Sequence, residues 1–263
     1  MANNQYAIIF ENVSLVRNGK LILDKINWRV KRGERSVILG LNGSGKTTLL
    51  KLVAGYGYPS GGSVEVLGER FGEVDLRELR KRVGWVHMDL KYEIPPFMTA
   101  EEVVATGLRG SLAIYDSLSI DEKRDVEKFL SLMEALRLKN RKFITLSTGE
   151  RQRVLISRAM AANPEILLLD EPCLGLDPLS REDFLNTLQG LLEKEKDITA
   201  VYVTHHLDEI TGVFQSVTIL KNGKISKRGQ IGDIPREDII RDLYGPGFRA
   251  YGIGIDFGEN PGK

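Results

Sequence analysis

Apolar residues along this chain fall into two kinds of run. "RSVILG" (35–40), "EILLLD" (165–170) and "ITAVYVTH" (198–205) are short continuous stretches bounded by charge, glycine or histidine. Such runs predict strands buried on both faces, as the strands of a parallel sheet are. "GKTTLLKLVAG" (45–55), "TAEEVVATGL" (99–108) and "DEKRDVEKFLSLMEALRL" (121–138) instead space their apolar residues at helical intervals, which predicts amphipathic helices. Residues 6–39 read as β-rich: "YAIIF", then "SLVR" and "KLIL" joined by Asn18-Gly19, a strong hairpin signal. A second such signal, Asn222-Gly223, lies in "SVTILKNGKISKRG". "SGGSVEVLG" predicts a turn and a strand, and "RVGWVHMDL" a strand leaving the core. After the break at Pro95-Pro96 the pattern turns helical, so residues 91–160 are expected to form a helical lobe before the core resumes. The last stretch, "LYGPGFRAYGIGIDFGENPGK", is rich in glycine and is expected to be loosely ordered.

Length and composition narrow the class. The 263 residues suffice for one domain with a subdomain. Thirty-seven basic residues against 36 acidic ones give a net charge of +1, which offers no electrostatic footprint for general nucleic-acid binding. The single cysteine, Cys173, has no partner for an intramolecular disulfide and no zinc-ligand spacing, and is expected to be a small buried residue in a reducing compartment. The N-terminus lacks the pattern of a secretory signal. No apolar run approaches the roughly 20 residues of a membrane-spanning helix, so any membrane part would belong to another chain.

Candidate chemistry is concentrated at the ends of the buried strands. "GLNGSGKTT" (40–48) matches G-x-x-x-x-G-K-[ST] between a predicted strand and a predicted helix, the context this phosphate-binding loop requires. Asn42, Gly43, Ser44 and Gly45 would close backbone N–H groups around phosphates, and Lys46 would reach the β- and γ-phosphates. Thr47 would offer its hydroxyl to Mg²⁺, and Thr48 would add a phosphate contact. At the end of "EILLLD", Asp170 is placed to hold a hydrated Mg²⁺ and Glu171 to polarise a water. On an extended strand the two carboxylates would point to opposite faces. "VYVTHHLDEI" (201–210) ends another strand in His205, placed to bond a γ-phosphate and sense its loss. Finally, Ser147 and Glu150 in "LSTGERQR" (146–153) form the S-x-x-E capping box. The helix start they define is also a ready anion site.

Taken together, "GLNGSGKT", "LSTGERQR", "ILLLDEP", "LGLD" and "THH" resemble, in that order, the Walker A, signature, Walker B, D-loop and switch-histidine motifs of ATP-binding cassette (ABC) ATPases. The resemblance spans residues 6–230. It implies an α/β fold: a P-loop NTPase (RecA-like) core with an N-terminal antiparallel β-subdomain and an inserted α-helical subdomain. It assigns 1–90 and 161–230 to the β-subdomain and core, 91–160 to the helical subdomain, and 231–263 to a C-terminal extension. Cassettes of this family form an ATP-bound homodimer in which each signature helix faces the partner's P-loop. Ser147 and Gly149 would then contact the ATP of the other subunit, and Asp177 would communicate across the interface.

The chain departs from the family pattern in three places. Thr148 and Glu150 replace residues of the usual LSGGQ. Met88 falls where a glutamine is usual, so His87 or Asp89 would have to substitute for it. Arg17 falls near the position of the aromatic residue that stacks on adenine. A guanidinium plane can stack on a base, although an exposed arginine beside a hairpin turn explains it equally well.

The resemblance implies an ATPase working with ATP and Mg²⁺. It would be cytoplasmic, peripheral on the inner face of the cell membrane, and would drive separate transmembrane permease subunits, with import favoured by the similarity of the helical lobe to that of importers. No direct nucleic-acid partner is expected. The competing expectation is a soluble relative acting in translation, repair or cofactor assembly, but tandem cassettes or a long coiled-coil insertion are not visible. A regulatory module without turnover would not need both Glu171 and His205.

Overall fold

The computed structural model describes residues 5–87, 93–111, 113–114 and 116–245. Two sheets organise the chain. The first is antiparallel, in the order β2-β1-β4-β5, from β1 (Tyr6–Arg17), β2 (Lys20–Lys31), β4 (Gly61–Val66) and β5 (Glu69–Arg70). "YAIIF" and "SLVR" belong to one strand rather than two, because the register shift between Phe10 and Val13 and the positive φ of Asn12 mark a bulge instead of a break.

The second sheet runs β10-β9-β3-β8-β7-β6. It comprises β3 (Arg35–Leu39), β6 (Val83–Val86), β7 (Ile166–Asp170), β8 (Thr199–Thr204), β9 (Ser216–Lys221) and β10 (Lys224–Gln230). All its pairings are parallel except the β9-β10 hairpin. The uninterrupted burial of Ile166–Asp170 and Thr199–Thr204 explains their unbroken apolar character. "RVGWV" does not leave the core: β6 is the edge strand beside β7, with Val83 and Val86 buried.

Helices cover both faces. α1 (Lys46–Val53) packs between the two sheets, where Trp28 meets Phe10 edge-on at 5.8 Å and sends its indole N–H to Thr218 Oγ1 at 3.2 Å. α2 (Leu76–Lys81) precedes β6. α3 (Ala100–Arg109), α4 (Ile120–Leu132) and α5 (Thr148–Ala161) pack on one another and share a core with the other face of the sheet. Each opens on a reciprocal capping box: Thr99 with Glu102, Ser119 with Glu122, and Ser147 with Glu150. α6 (Pro178–Lys194) follows β7, and α7 (Arg236–Tyr244) closes the described chain. The glycine-rich end from residue 246 lies outside the described residues, as do Met88 and Asp89.

The crossing of α3 and α5 depends on Gly107. A Cβ built there would meet the Arg158 carbonyl, so the backbones touch without an intervening side chain. Gly107→Val is expected to force the helices apart and to lower stability by about 1–3 kcal/mol. An unchanged urea midpoint would show that the contact gives way freely.

Candidate active site

The phosphate-loop motif is built by backbone conformation. Gly45 caps α1 at φ 105°, a torsion that requires glycine, and a Cβ there would also stand 2.9 Å from Leu23 Cδ2. From this turn Lys46 points back into the loop. Its Nζ donates to the carbonyls of Gly40 at 2.8 Å and Leu41 at 3.3 Å. The ammonium is 5% exposed and lies 3.1 Å from Glu171 Oε1.

Glu171 departs from the sequence expectation. It does not continue the strand: its φ is 49°, a left-handed torsion uncommon for a residue with a side chain. Its N–H donates to the Val203 carbonyl at 2.9 Å. The alternation rule for extended backbone therefore fails here. Asp170 and Glu171 line the same cleft instead of opposite faces. Such strain is characteristic of positions where geometry serves chemistry. The same Glu171 oxygen lies 3.4 Å from Nδ1 of His205, which follows β8. One carboxylate thus stands between the lysine after β3 and the histidine after β8.

Asp170 is 6% exposed. Burial pushes its carboxyl up, against the bond from the Thr47 hydroxyl and the charge of Lys46. Its Oδ1 is buried without a hydrogen-bond partner. A buried carboxylate oxygen without a partner, beside a threonine hydroxyl, suits a hydrated divalent cation, and Mg²⁺ commonly takes one protein carboxylate together with substrate phosphates.

Asp170 and Glu171 line a cleft of about 1650 Å³. Thr47, Thr48 and Arg17 also line it, together with Trp85, His87 and residues of α3 and α5. Arg17 stands at the tip of the β1-β2 hairpin, paired with Lys20. His87 stacks on Trp85 at 4.1 Å between ring centres. Ser44 and Gly45 form the loop itself, and Asn42 and Gly43 are exposed at its crest.

Ser147 and Gly149 do not line this cleft. Ser147 is exposed at the start of α5, where its hydroxyl accepts from the Glu150 N–H at 3.2 Å and its own N–H donates to Glu150 at 3.0 Å. Arg137 and Arg141 each donate to Glu150 Oε1 at 3.0 Å. Burial pulls the Glu150 carboxyl up, yet the Ser147 N–H and the two guanidinium groups outweigh it and hold the carboxyl below its ordinary value. Asp177 is exposed and caps α6 through Ser180.

Sequence reasoning missed two groups beside the site. Glu209, 2% exposed, accepts from the hydroxyls of Thr204 and Tyr202. Tyr244, at the end of α7, donates to the His205 carbonyl at 3.3 Å. The Glu209 signal was present as an acidic residue four positions after His205, but only the fold turns it inward.

Comparisons with known proteins bear on the family and the fold. The family model described as "ABC transporter" matches residues 23–174. The chain is 41% identical to the ABC transporter ATP-binding protein YlmA of Bacillus subtilis, over 89% of each protein. It is 33% identical to the spermidine/putrescine import ATP-binding protein PotA of Desulfitobacterium hafniense, over 89% of this chain and 66% of that protein. Among solved structures, the dimeric post-hydrolysis state of the ATP-binding cassette MJ0796 bound to ADP and Pi superposes with a TM-score of 0.73. It is 28% identical, over 85% of this chain and 98% of that one.

Glu150 holds the start of α5 through three donors, so Glu150→Ala is expected to cost about 1–2 kcal/mol, the scale of a lost cap. The denaturation midpoint measures it. A midpoint equal to that of the parent would mean the arginines and the Ser147 N–H find water at no cost.

Proposed function

The chain belongs to the ABC transporter family, and from that premise we propose that it dimerises around two ATP molecules and powers solute import through separate permease subunits. ATP binding and hydrolysis are the activity of its family, and the dimeric MJ0796 cassette carries the products ADP and Pi. The observation that carries the reading is that Lys46 and His205 both lie against Glu171, which lines one cleft with Asp170, while Ser147 and Gly149 do not line it. A composite site has this division: the P-loop half faces its own nucleotide, and the exposed helix start is left for a second chain's.

In this reading Asn42 to Thr48 wrap the phosphates, and Arg17 stands at the base-binding end of the cleft. The γ-phosphate takes the place of the Glu171 carboxylate on Lys46. Glu171, so released, accepts a proton from water as its oxygen attacks the γ-phosphorus and the bond to the β-phosphate oxygen breaks. His205 bonds the γ-phosphate and registers its loss. Thr47 and Asp170 would hold Mg²⁺, which when bound neutralises phosphate charge. From the partner chain, Ser147 and Gly149 present the α5 N-terminus to the same phosphate, and Asp177 lies between the two sites. Glu150 is too heavily engaged by Arg137 and Arg141 to serve as a ligand, so its part is to stiffen that helix start.

Several observations support the transport role. No helix among the described residues is long and apolar enough to cross a membrane, so a permease would be a separate chain. PotA carries import in its name, and its likeness to this chain favours uptake at the inner face of the cell membrane. His87, which lines the cleft, is the described candidate for the missing glutamine; the other, Asp89, lies outside the described residues.

The test is twofold. Glu171→Gln is expected to bind ATP normally and lose turnover by about a hundredfold or more; unchanged turnover would reject this base. Mixing a Lys46→Ala chain with a Ser147→Arg chain is expected to restore one composite site per mixed dimer. Mixed dimers no more active than either parent would reject the shared site.

A further inference from the structure

A buried polar cluster behind the site has no part in the roles above. Tyr202, Thr204 and Glu209 are 0%, 1% and 2% exposed. Glu209 Oε2 accepts from the Thr204 hydroxyl at 2.6 Å and from the Tyr202 hydroxyl at 2.9 Å. With its hydrogen so committed, Thr204 Oγ1 is free to accept, and it takes the N–H of His206 at 3.0 Å. The Tyr202 oxygen lies 3.4 Å from Sγ of Cys173. Burial, with the Glu209 charge adding to it, pushes that thiol up to about 12, so it keeps its proton and can donate. At the solvent side Arg181 of α6 pairs with Asp208 at 2.6 Å.

The cluster spans the two loops that matter. Cys173 is two residues beyond Glu171, and His206 adjoins His205. A single carboxylate oxygen therefore links the segment carrying the water-polarising carboxylate to the segment carrying the histidine. Stability alone gives a weak reason for it, since a buried carboxylate is costly to desolvate and apolar residues of similar size often serve as well. Geometry gives a stronger one. The hydrogen bonds of a buried network have narrow angular tolerance, and here they end on the peptide that aims the imidazole. A displacement of about 1 Å in a reacting arrangement can cost a hundredfold in rate.

We propose that Glu209 is a positioning residue for the reaction: through Thr204 and Tyr202 it fixes the His205-His206 peptide and so sets His205 against Glu171. This rests on the roles given above to Glu171 and His205. Glu209 touches neither nucleotide nor water; it acts through Thr204.

The experiment measures ATP turnover, nucleotide affinity and melting temperature of the full chain. Glu209→Ala and Thr204→Val are each expected to lower kcat about tenfold or more, with KM for ATP and nucleotide affinity changed less than about twofold. Glu209→Gln, which keeps an acceptor oxygen, and Thr204→Ser, which keeps the hydroxyl, are expected to recover most of that loss. In a His205→Ala background Thr204→Val is expected to add nothing, because groups that act as a unit are not additive. Should Glu209→Ala fail to fold, Thr204→Val and its serine rescue carry the test. Normal kcat in Thr204→Val beside an inactive His205→Ala overturns this inference alone. So does a loss that serine does not rescue, or one that persists undiminished in the His205→Ala background. Full turnover in His205→Ala itself overturns the role of the histidine and this inference with it.

Discussion

The Glu171 carboxylate sits 3.1 Å from the Lys46 ammonium and 3.4 Å from His205 Nδ1. Three separate parts of the chain must end at the same place for this to happen: the loop after β3, the turn after β7 and the loop after β8. Parallel pairing of β3 with β8 and of β8 with β7 aligns their carboxyl ends, and ligands of such sheets bind outside those ends. What the sheet cannot supply is the final direction of the side chain. The left-handed torsion at Glu171 does that, anchored by its N–H on the Val203 carbonyl.

Much else is arranged to keep that meeting possible. The antiparallel sheet and α1 pack one face of the parallel sheet and hold the P-loop in place through Leu23 and Leu220, which lie against Gly45. The three capped helices cover part of the other face and put the Ser147 helix start at the surface, outside the cleft. The cluster of Tyr202, Thr204 and Glu209 braces the histidine loop from within, and Tyr244 reaches its carbonyl from α7. A charge pair that is mostly buried contributes little stability of its own. Its use here is to hold an ammonium, a carboxylate and an imidazole together at one point.

The parts of this arrangement legible in the sequence are those set by local rules. Continuous apolar runs marked β3, β7 and β8, the glycine pattern marked the P-loop, and Ser147 with Glu150 marked both a cap and a helix start, all because neighbours in sequence settle them. Three features were not legible, each because a tertiary contact overrides the local rule. The β1 bulge merges what looked like two strands. β6 was legible as a strand, but its place at the sheet edge beside β7 was not. Asp170 and Glu171 share one cleft because the backbone leaves the extended region between them. Glu209 belongs with these, since four residues of spacing carry no hint that an acidic side chain turns inward to two hydroxyls.

The central claim is that the site is completed by a second chain bringing Ser147 and Gly149 to the phosphates held by the first. Sedimentation velocity of the Glu171→Gln chain with ATP, read alongside the nucleotide retained per chain, measures this directly. The account predicts a monomer without nucleotide and a dimer holding two ATP molecules with it. A chain that binds ATP fully and stays monomeric at every concentration reached would contradict it.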